Sequence, residues 1–300
     1  MTAAATSFDT VAVGVDGSPE SVRAALWATR EAGLRKDNLD LVLVNDDPVR
    51  STWADTTLRH VAEQCRACDP DVRITSSILE GHPTEQLVKV STRADVLVLS
   101  AHGHHEFRDA LLGSISTGVA IHGQCPVVVT RAATTGHGPI LVGFDGSPGS
   151  DRALEFACEA AQRRRSEVWV MQVWHEEGLL TGPISPGAEA EIQERVEASL
   201  ADQLDSWRHQ YSQTAVRTMV QHGHPVPMLT DAARHAQLLV VGHRGSGGFN
   251  GLVLGSVAAG VVHHAKTPVA ITHGNHALRE EHRGGEARDG ADDGQAINGG

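Results

Sequence analysis

The sequence is short of several features that would place it in a special class of protein. It has four cysteines in 300 residues, too few for a disulfide framework. Its first ten residues contain no lysine or arginine and no apolar segment follows them, so we expect no secretory signal. No apolar run approaches the roughly 18 residues of a membrane-spanning helix. These absences predict a cytoplasmic protein.

Positive charge is also scarce. The chain has 25 lysines and arginines against 37 aspartates and glutamates, a formal net charge of −12. Such a charge balance repels phosphate backbones and anionic lipid. We therefore expect no nucleic acid and no membrane among the partners.

What the sequence does have is an internal repeat. Six blocks recur in the same order, which chance does not explain: Val11–Ser21 with Ile140–Ser150, Leu41–Asn45 with Val168–Gln172, Gly81–Pro83 with Gly223–Pro225, Asp95–Ser100 with Gln237–Gly242, Leu111–Ser116 with Val253–Ala258, and Cys125–Thr130 with Thr267–Thr272. The repeat predicts domains at 8–131 and 139–273 with a linker at 132–138. The glycine-rich, polar tail 274–300 is predicted to be disordered.

Each copy alternates strand and helix signals. Continuous apolar runs are typical of strands buried on both faces of a parallel sheet, and in the first copy they are Thr10–Val15, Leu41–Val44, Val72–Leu79, Val96–Leu99 and Val127–Val129. A serine followed by proline, at Ser18 and again at Ser147, predicts the start of a helix. The pattern predicts two α/β domains, each a doubly wound five-stranded parallel sheet that binds ligands beyond the carboxyl ends of its strands.

A glycine-rich segment in the second copy is the strongest chemical signal. Gly242 and Gly245 follow a strand, and after nine further residues Gly255 and Ser256 open an apolar helix. Glycine allows backbone N–H groups to converge on an anion, and a helix N-terminus adds free donors and a positive dipole end. The spacing fits neither GxGxxG nor the Walker motif. Two such elements joined by one loop indicate a polyphosphate site.

This spacing, with an aspartate closing the first strand, resembles the universal stress protein family of the ATP-binding kind. The resemblance covers both halves and implies Rossmann-like domains of the adenine-nucleotide alpha-hydrolase type that pair through their last strands as an internal pseudo-dimer. Val127–Val129 should then pair with Val269–Ile271. It also implies a homodimer of tandem chains, an unidentified protein partner, and ATP as ligand, with Mg²⁺ held mainly by the triphosphate.

The resemblance assigns the nucleotide-binding residues by motif. In domain 2, Asp145 would face the ribose or adenine, Val173 the adenine, and the other residues the phosphates or the walls: Val241, Gly242, Gly245, Gly255, Ser256 and Val257. In domain 1 the corresponding residues are Asp16, Ser100, Gly103, Gly113 and Ser114. Ser100 replaces the first glycine, and Asp46 stands at the position aligned with Val173. We therefore expect domain 1 to bind more weakly or not at all.

Plainer roles stay open for these residues. Asp16 and Asp145 could cap the helices that follow, and Gly255 could serve only close packing. The 18 histidines, including His104 and His105, are expected to be ordinary side chains rather than metal ligands. Cys65 and Cys68 lie in an apparent helix, which does not favour a redox site.

The leading functional hypothesis is an ATP-binding regulatory module of the stress response without catalytic residues. A nucleotide-independent scaffold, a weak ATPase, and a hydrolase or ligase of the wider fold are the alternatives. The last would need a catalytic insertion, and the roughly fifteen extra residues near Gly178–Glu191 are too few and too plain for one.

Overall fold

The structure is a computed structural model that describes residues 9–103, 112–131, 137–175, 186–246 and 254–273. His104, His105, the tail 274–300 and most of the predicted linker lie outside these residues. No helix within the described ranges is both long and apolar enough to cross a membrane.

Domain 1 alternates strands and helices along the chain. Its elements are β1 (Thr10–Val15), α1 (Pro19–Arg35), β2 (Asn38–Asn45), α2 (Ser51–Cys68), β3 (Ile74–Glu80), α3 (Pro83–Ser91), β4 (Val96–Ser100), α4 (Ser114–His122) and β5 (Val127–Thr130). A short 3-10 turn, Pro48–Arg50, precedes α2.

Domain 2 repeats the order with one added helix. Its elements are β6 (Ile140–Gly143), α5 (Pro148–Arg164), β7 (Val168–Trp174), α6 (Pro186–Gln203), α7 (Asp205–Gln210), β8 (Val216–His222), α8 (Pro225–Ala232), β9 (Leu238–Gly242), α9 (Ser256–His264) and β10 (Val269–Thr272).

The ten strands of the described residues form one sheet, in the order β3-β2-β1-β4-β5-β10-β9-β6-β7-β8. Pairing is parallel within each half, as in Val13 beside Leu41 and Val142 beside Val170. The two halves meet where β5 pairs antiparallel with β10, with Val128 opposite Ala270. This confirms the predicted fold class and the predicted pairing through the last strands.

The predicted helix starts are confirmed. The Ser18 hydroxyl accepts a hydrogen bond from the Ser21 N–H at 3.1 Å, and the Ser147 hydroxyl accepts from the Ser150 N–H at 3.2 Å. Each satisfies a first-turn donor that has no partner within the helix. The helices therefore begin at the same point in both copies, immediately beyond the ends of β1 and β6.

A buried ionic cluster joins α1 of domain 1 to α5 of domain 2. The Glu31 carboxylate, whose side chain is 2% exposed, accepts from Arg35 at 2.6 Å and from Arg164 of the other domain. Burial alone would raise the pKa of the Glu31 carboxyl, but the charges of Arg164 and Arg35 lower it to about 2. Arg35 and Arg164, which stand at equivalent positions in the repeat, thus share one carboxylate.

On the other face of the sheet, each domain caps a helix of its neighbour. Arg131, just after β5, donates from Nη2 to the carbonyl oxygens of Val262 at 2.5 Å and His263 at 3.0 Å, near the end of α9. His273, just after β10, donates from Nε2 to the Ala120 oxygen at 2.9 Å, near the end of α4. These donors satisfy carbonyls that a helix end leaves unpaired. The two helices that follow the glycine-rich turns are therefore each held by the opposite domain.

Acid should destabilise this junction through His243, whose ring stacks on His273 with centroids 5.3 Å apart. Burial, His273, Arg244 and Arg152 lower the pKa of His243 to about 4. The unfolded chain binds the proton near pH 6.5, so the free energy of unfolding should fall as pH drops from about 6.5 to 4 and level off below. Each pKa unit is worth about 1.4 kcal/mol, which limits the loss to about 3 kcal/mol.

Denaturant unfolding of the His243→Phe variant across this pH range measures the effect. Phenylalanine keeps a ring against His273, so the slope with pH should diminish. His209→Phe is the control, because the His209 side chain is 80% exposed and its removal should leave the slope unchanged. An unaltered slope in His243→Phe would contradict the assignment.

Candidate functional site

A cavity of about 340 Å³ opens at the carboxyl edge of the domain 1 sheet. Its floor is apolar and comes from the ends of β1, β2 and β4, including Val15, Leu43 and Leu99. In a doubly wound sheet the ligand crevice lies where the strand order reverses, and here β1 stands between β2 and β4. The cavity therefore occupies the place that the topology predicts, with the size of a small-molecule site.

The five residues predicted for domain 1 all line this cavity: Asp16, Ser100, Gly103, Gly113 and Ser114. Asp16 Oδ1 accepts from the Ser18 N–H at 3.0 Å and from its hydroxyl at 2.6 Å. A Cβ added to Gly103 would lie 2.7 Å from Asp16 Oδ2. Asp16 thus supports the helix cap through Oδ1, and its Oδ2 faces the glycine turn.

Ser100 fits the turn without a glycine. Its hydroxyl donates to the His102 carbonyl oxygen at 2.8 Å, and its own carbonyl accepts from the Ser116 hydroxyl at 2.8 Å. Gly113 N–H donates to the Ala101 oxygen at 2.9 Å, which holds the start of α4 beside the end of β4. Gly113 provides no side-chain cap to α4. The positive end of the α4 dipole therefore faces the cavity.

Among the lining residues that the motif did not predict, four lie after or near the end of β2. Val44 and Asn45 end β2, and Arg50 and Trp53 begin the next helix. The Arg50 guanidinium lies 4.3 Å from the centroid of the Trp53 ring, a cation–π contact. The topology could have predicted them. Because β2 lies next to β1, residues that follow β2 border the same crevice at the carboxyl ends of the strands.

In domain 2 the turn after β9 folds onto Asp145. Asp145 Oδ1 accepts from Ser147 N–H at 3.1 Å, while Oδ2 accepts from Ser246 N–H at 2.7 Å and from its hydroxyl at 3.2 Å. Burial would raise the pKa of the Asp145 carboxyl, but the hydrogen bonds from Ser147 and Ser246 lower it. Both carboxylate oxygens of Asp145, the residue predicted to contact the ribose, therefore already accept hydrogen bonds from the protein.

Close packing explains the first glycine of this turn. A Cβ on Gly242 would lie 2.6 Å from the backbone of Gly149, at the start of α5. Gly149 in turn abuts the Arg244 carbonyl. Gly255 N–H donates to the His243 oxygen at 2.8 Å, which matches the Gly113–Ala101 bond of domain 1. Gly242 is thus required for packing whether or not the turn binds phosphate.

The remaining domain 2 candidates lie around the same turn. Val241 is buried at the end of β9, Ser256 is exposed, and Val257 is half-buried in the first turn of α9. The connecting residues 247–253 lie outside the described ranges.

The interpretation of Asp46 as the counterpart of Val173 is wrong. Gly14 pairs with Val42, and its equivalent Gly143 pairs with Met171, which makes Val44 the counterpart of Val173. The alignment of the two apolar runs had slipped by two residues. A slip of two preserves the alternation of faces along a strand, so the hydrophobic pattern could not reveal it.

The corrected register exposes a difference between the two sites. Asn45 lines the domain 1 cavity, and its counterpart in domain 2 is Trp174. The Trp174 indole stacks on His222 with centroids 4.3 Å apart and donates to Gln193 Oε1 at 2.8 Å. A large side chain tied to α6 thus stands where domain 1 has a small one.

Cys65 and Cys68 lie in α2, as expected, and both are free thiols. Burial raises the pKa of the Cys65 thiol, which opposes redox reactivity. Within the described residues no three His, Cys, Asp or Glu side chains are grouped so that they could hold a metal.

Comparison with known proteins gives consistent matches along most of the chain. The profile described as "Universal stress protein family" matches residues 7–131 and 137–273. A universal stress protein of Mycobacterium tuberculosis strain H37Rv is 32% identical over 285 residues, covering 87% of this chain and 96% of the relative. One from Mycolicibacterium smegmatis is 33% identical over 294 residues, covering 90% and 99%.

Among solved structures, a universal stress protein from Archaeoglobus fulgidus superposes with a TM-score of 0.64 at 20% identity, covering 88% of this chain and 95% of that one. A protein of unknown function from Pseudomonas aeruginosa superposes with a TM-score of 0.65 at 12% identity, covering 94% and 98%. At these identities the superpositions establish the fold alone.

Proposed function

The chain belongs to the universal stress protein family, and from that premise we propose that it is an adenine-nucleotide-binding regulatory module whose ligand is ATP. The observation that carries the proposal is the domain 1 cavity, where Asp16 and the Gly103 and Gly113 turns meet at one opening.

The chemistry of the cavity suits such a ligand. An apolar floor of strand residues would take the purine ring, and the α4 N-terminus beside Gly113 and Ser114 would take phosphate. Asp16 would accept from a ribose hydroxyl. Arg50 is the single cation among the described lining residues, and with bound Mg²⁺ it would offset the charges of Asp16, Asp46 and the phosphates.

Domain 2 would bind through the equivalent residues Asp145, Val173, Val241, Gly242, Gly245, Gly255, Ser256 and Val257. Binding there requires Ser246 to leave Asp145, since its N–H lies 2.7 Å from Oδ2. Trp174 stands where domain 1 has Asn45, a lining residue of the open cavity, so we infer that domain 1 is the readier site, the reverse of the order predicted from glycine content. ATP occupancy would then alter the surface that the glycine turns present to a protein partner, or to a second tandem chain.

The Ser246 N–H bound to Asp145, and the large Trp174 side chain where domain 1 has Asn45, favour a second candidate for domain 2, a nucleotide-independent scaffold. On this view Ser246 replaces the ligand and the domain serves to complete the sheet and present a binding surface.

The test is nucleotide stoichiometry. The full chain, purified without added nucleotide, should carry an adenine nucleotide identifiable by native mass spectrometry or take up ATP on calorimetric titration with Mg²⁺. We expect one tight equivalent per chain, and GTP as the control ligand should bind more weakly. If the purified protein carries no adenine nucleotide and binds no ATP on titration, the proposal is refuted. The nucleotide-independent scaffold would then be the better account of both domains.

A further inference from the structure

His263 of domain 2 reaches across the junction to the turn that begins α4 in domain 1. Its Nδ1 accepts a hydrogen bond from the Leu112 N–H at 3.2 Å. Leu112 is 7% exposed and directly precedes Gly113, a lining residue of the domain 1 cavity. Because Nδ1 is the acceptor, the ring proton must lie on Nε2.

The His263 ring is itself held in place. Arg131 of domain 1 donates to the carbonyl oxygens of Val262 and His263, which fixes the last turn of α9. Burial, His264 and Arg131 lower the pKa of His263, so its ring stays neutral and able to accept at neutral pH. The contact therefore joins the fixed His263 ring to the Leu112 N–H, one residue before Gly113 of the cavity lining.

Among the described residues this contact runs in one direction. The repeat offset of 142 residues between Gly81 and Gly223 makes Ile121 the counterpart of His263, and an isoleucine side chain accepts no hydrogen bond. The position of domain 1 that is equivalent to His263 thus carries no side-chain acceptor for the N–H before α9. Leu112, which donates this hydrogen bond, lies beside the domain 1 cavity.

Resting on the proposed function, we propose that His263 is a positioning residue for the domain 1 nucleotide site, so that this site is complete only when domain 2 is docked. With its N–H held by His263, Leu112 keeps Gly113 and Ser114 in the place where the α4 N-terminus meets phosphate. The last turn of one domain's helix thereby sets the phosphate-binding geometry of the other.

Three variants of the full chain test the proposal by calorimetric titration with ATP. His263→Ala removes the acceptor and should weaken ATP binding about tenfold, the effect of leaving a buried donor unpaired. His263→Asn places an amide oxygen near the Nδ1 position and should restore affinity to within about twofold. His264→Ala, a change at the exposed neighbour, should bind as the unchanged chain does.

Thermal unfolding without ligand separates positioning from general stability. A structural role alone predicts a lower Tm for His263→Ala with unchanged ATP affinity, and that result would overturn the inference while the proposed function stands. Failure of the asparagine to restore affinity would overturn it as well. If the unchanged chain binds no ATP, the proposed function fails and the inference falls with it.

Discussion

Replacing Glu31 with alanine should lower the free energy of unfolding by about 3 to 5 kcal/mol, the cost of removing one partner from a buried ion pair. The side chains of Arg35 and Arg164 are 8% and 10% exposed, so both would keep buried charges without a carboxylate. Arg35 Nη2 already lacks a hydrogen-bond partner. Denaturant unfolding of the full chain measures the loss.

The same cluster should make the protein sensitive to acid. The pKa of Glu31 is about 2 in the folded chain against an ordinary 4.5. Its contribution is therefore complete above about pH 4.5 and is lost as pH falls toward 2. At about 1.4 kcal/mol per pKa unit, the loss is about 3 kcal/mol. Glu31→Ala should remove this part of the pH dependence.

Glu20→Ala is the matched control on the same helix. Glu20 pairs with Arg23 at 2.7 Å, but the two side chains are 37% and 44% exposed, and such pairs contribute at most about 1 kcal/mol. A loss below about 1 kcal/mol for Glu31→Ala, or equal losses in the two variants, would contradict the assigned role of the cluster.

Gly103→Val should weaken ATP binding by about 5- to 150-fold. A Cβ at Gly103 would lie 2.7 Å from Asp16 Oδ2, so the turn or the carboxylate must move into the cavity. Such overpacking costs about 1 to 3 kcal/mol. The φ angle of Gly103 is not positive, so valine adds no backbone strain and the fold should be retained. Calorimetric titration with ATP measures the change.

Two other glycines sharpen the result. A Cβ at Gly187 meets nothing within 4 Å, so Gly187→Val should bind ATP normally. Gly245→Val forces a clash with Asp145 Oδ2, where Ser246 is already bound. Because this clash lies in domain 2, the variant should keep most of the tight ATP binding that we assign to domain 1. If Gly245→Val abolished binding and Gly103→Val preserved it, domain 2 would be the principal site, as glycine content predicts.

The sequence predicts the fold well because its signals are local and repeated. Continuous apolar runs marked the strands, and Thr10–Val15 is β1 to the residue. Serine–proline pairs marked the helix starts. The edge pairing of β5 with β10 came from the family resemblance, since no local pattern in Val127–Val129 specifies an antiparallel neighbour.

The candidate site was only partly predictable. Motif spacing identified Asp16, Gly103 and Gly113, but not the openness of the cavity around them. The two-residue slip also concealed one difference between the two sites, Asn45 in domain 1 against Trp174 in domain 2. Glu31 and Arg164 are 133 residues apart, and nothing local in either helix indicates that they meet.

Glu31 supplies the carboxylate that Arg35 and Arg164 share at the junction of the two halves. Its counterpart in the repeat is Ala160, whereas Arg35 has the counterpart Arg164. Two copies of domain 2 joined in this way would bring two Arg164 side chains together without the carboxylate that Glu31 places between Arg35 and Arg164. We therefore expect such a pairing to be less stable than the junction in the intact chain, because buried arginine charges need a carboxylate partner.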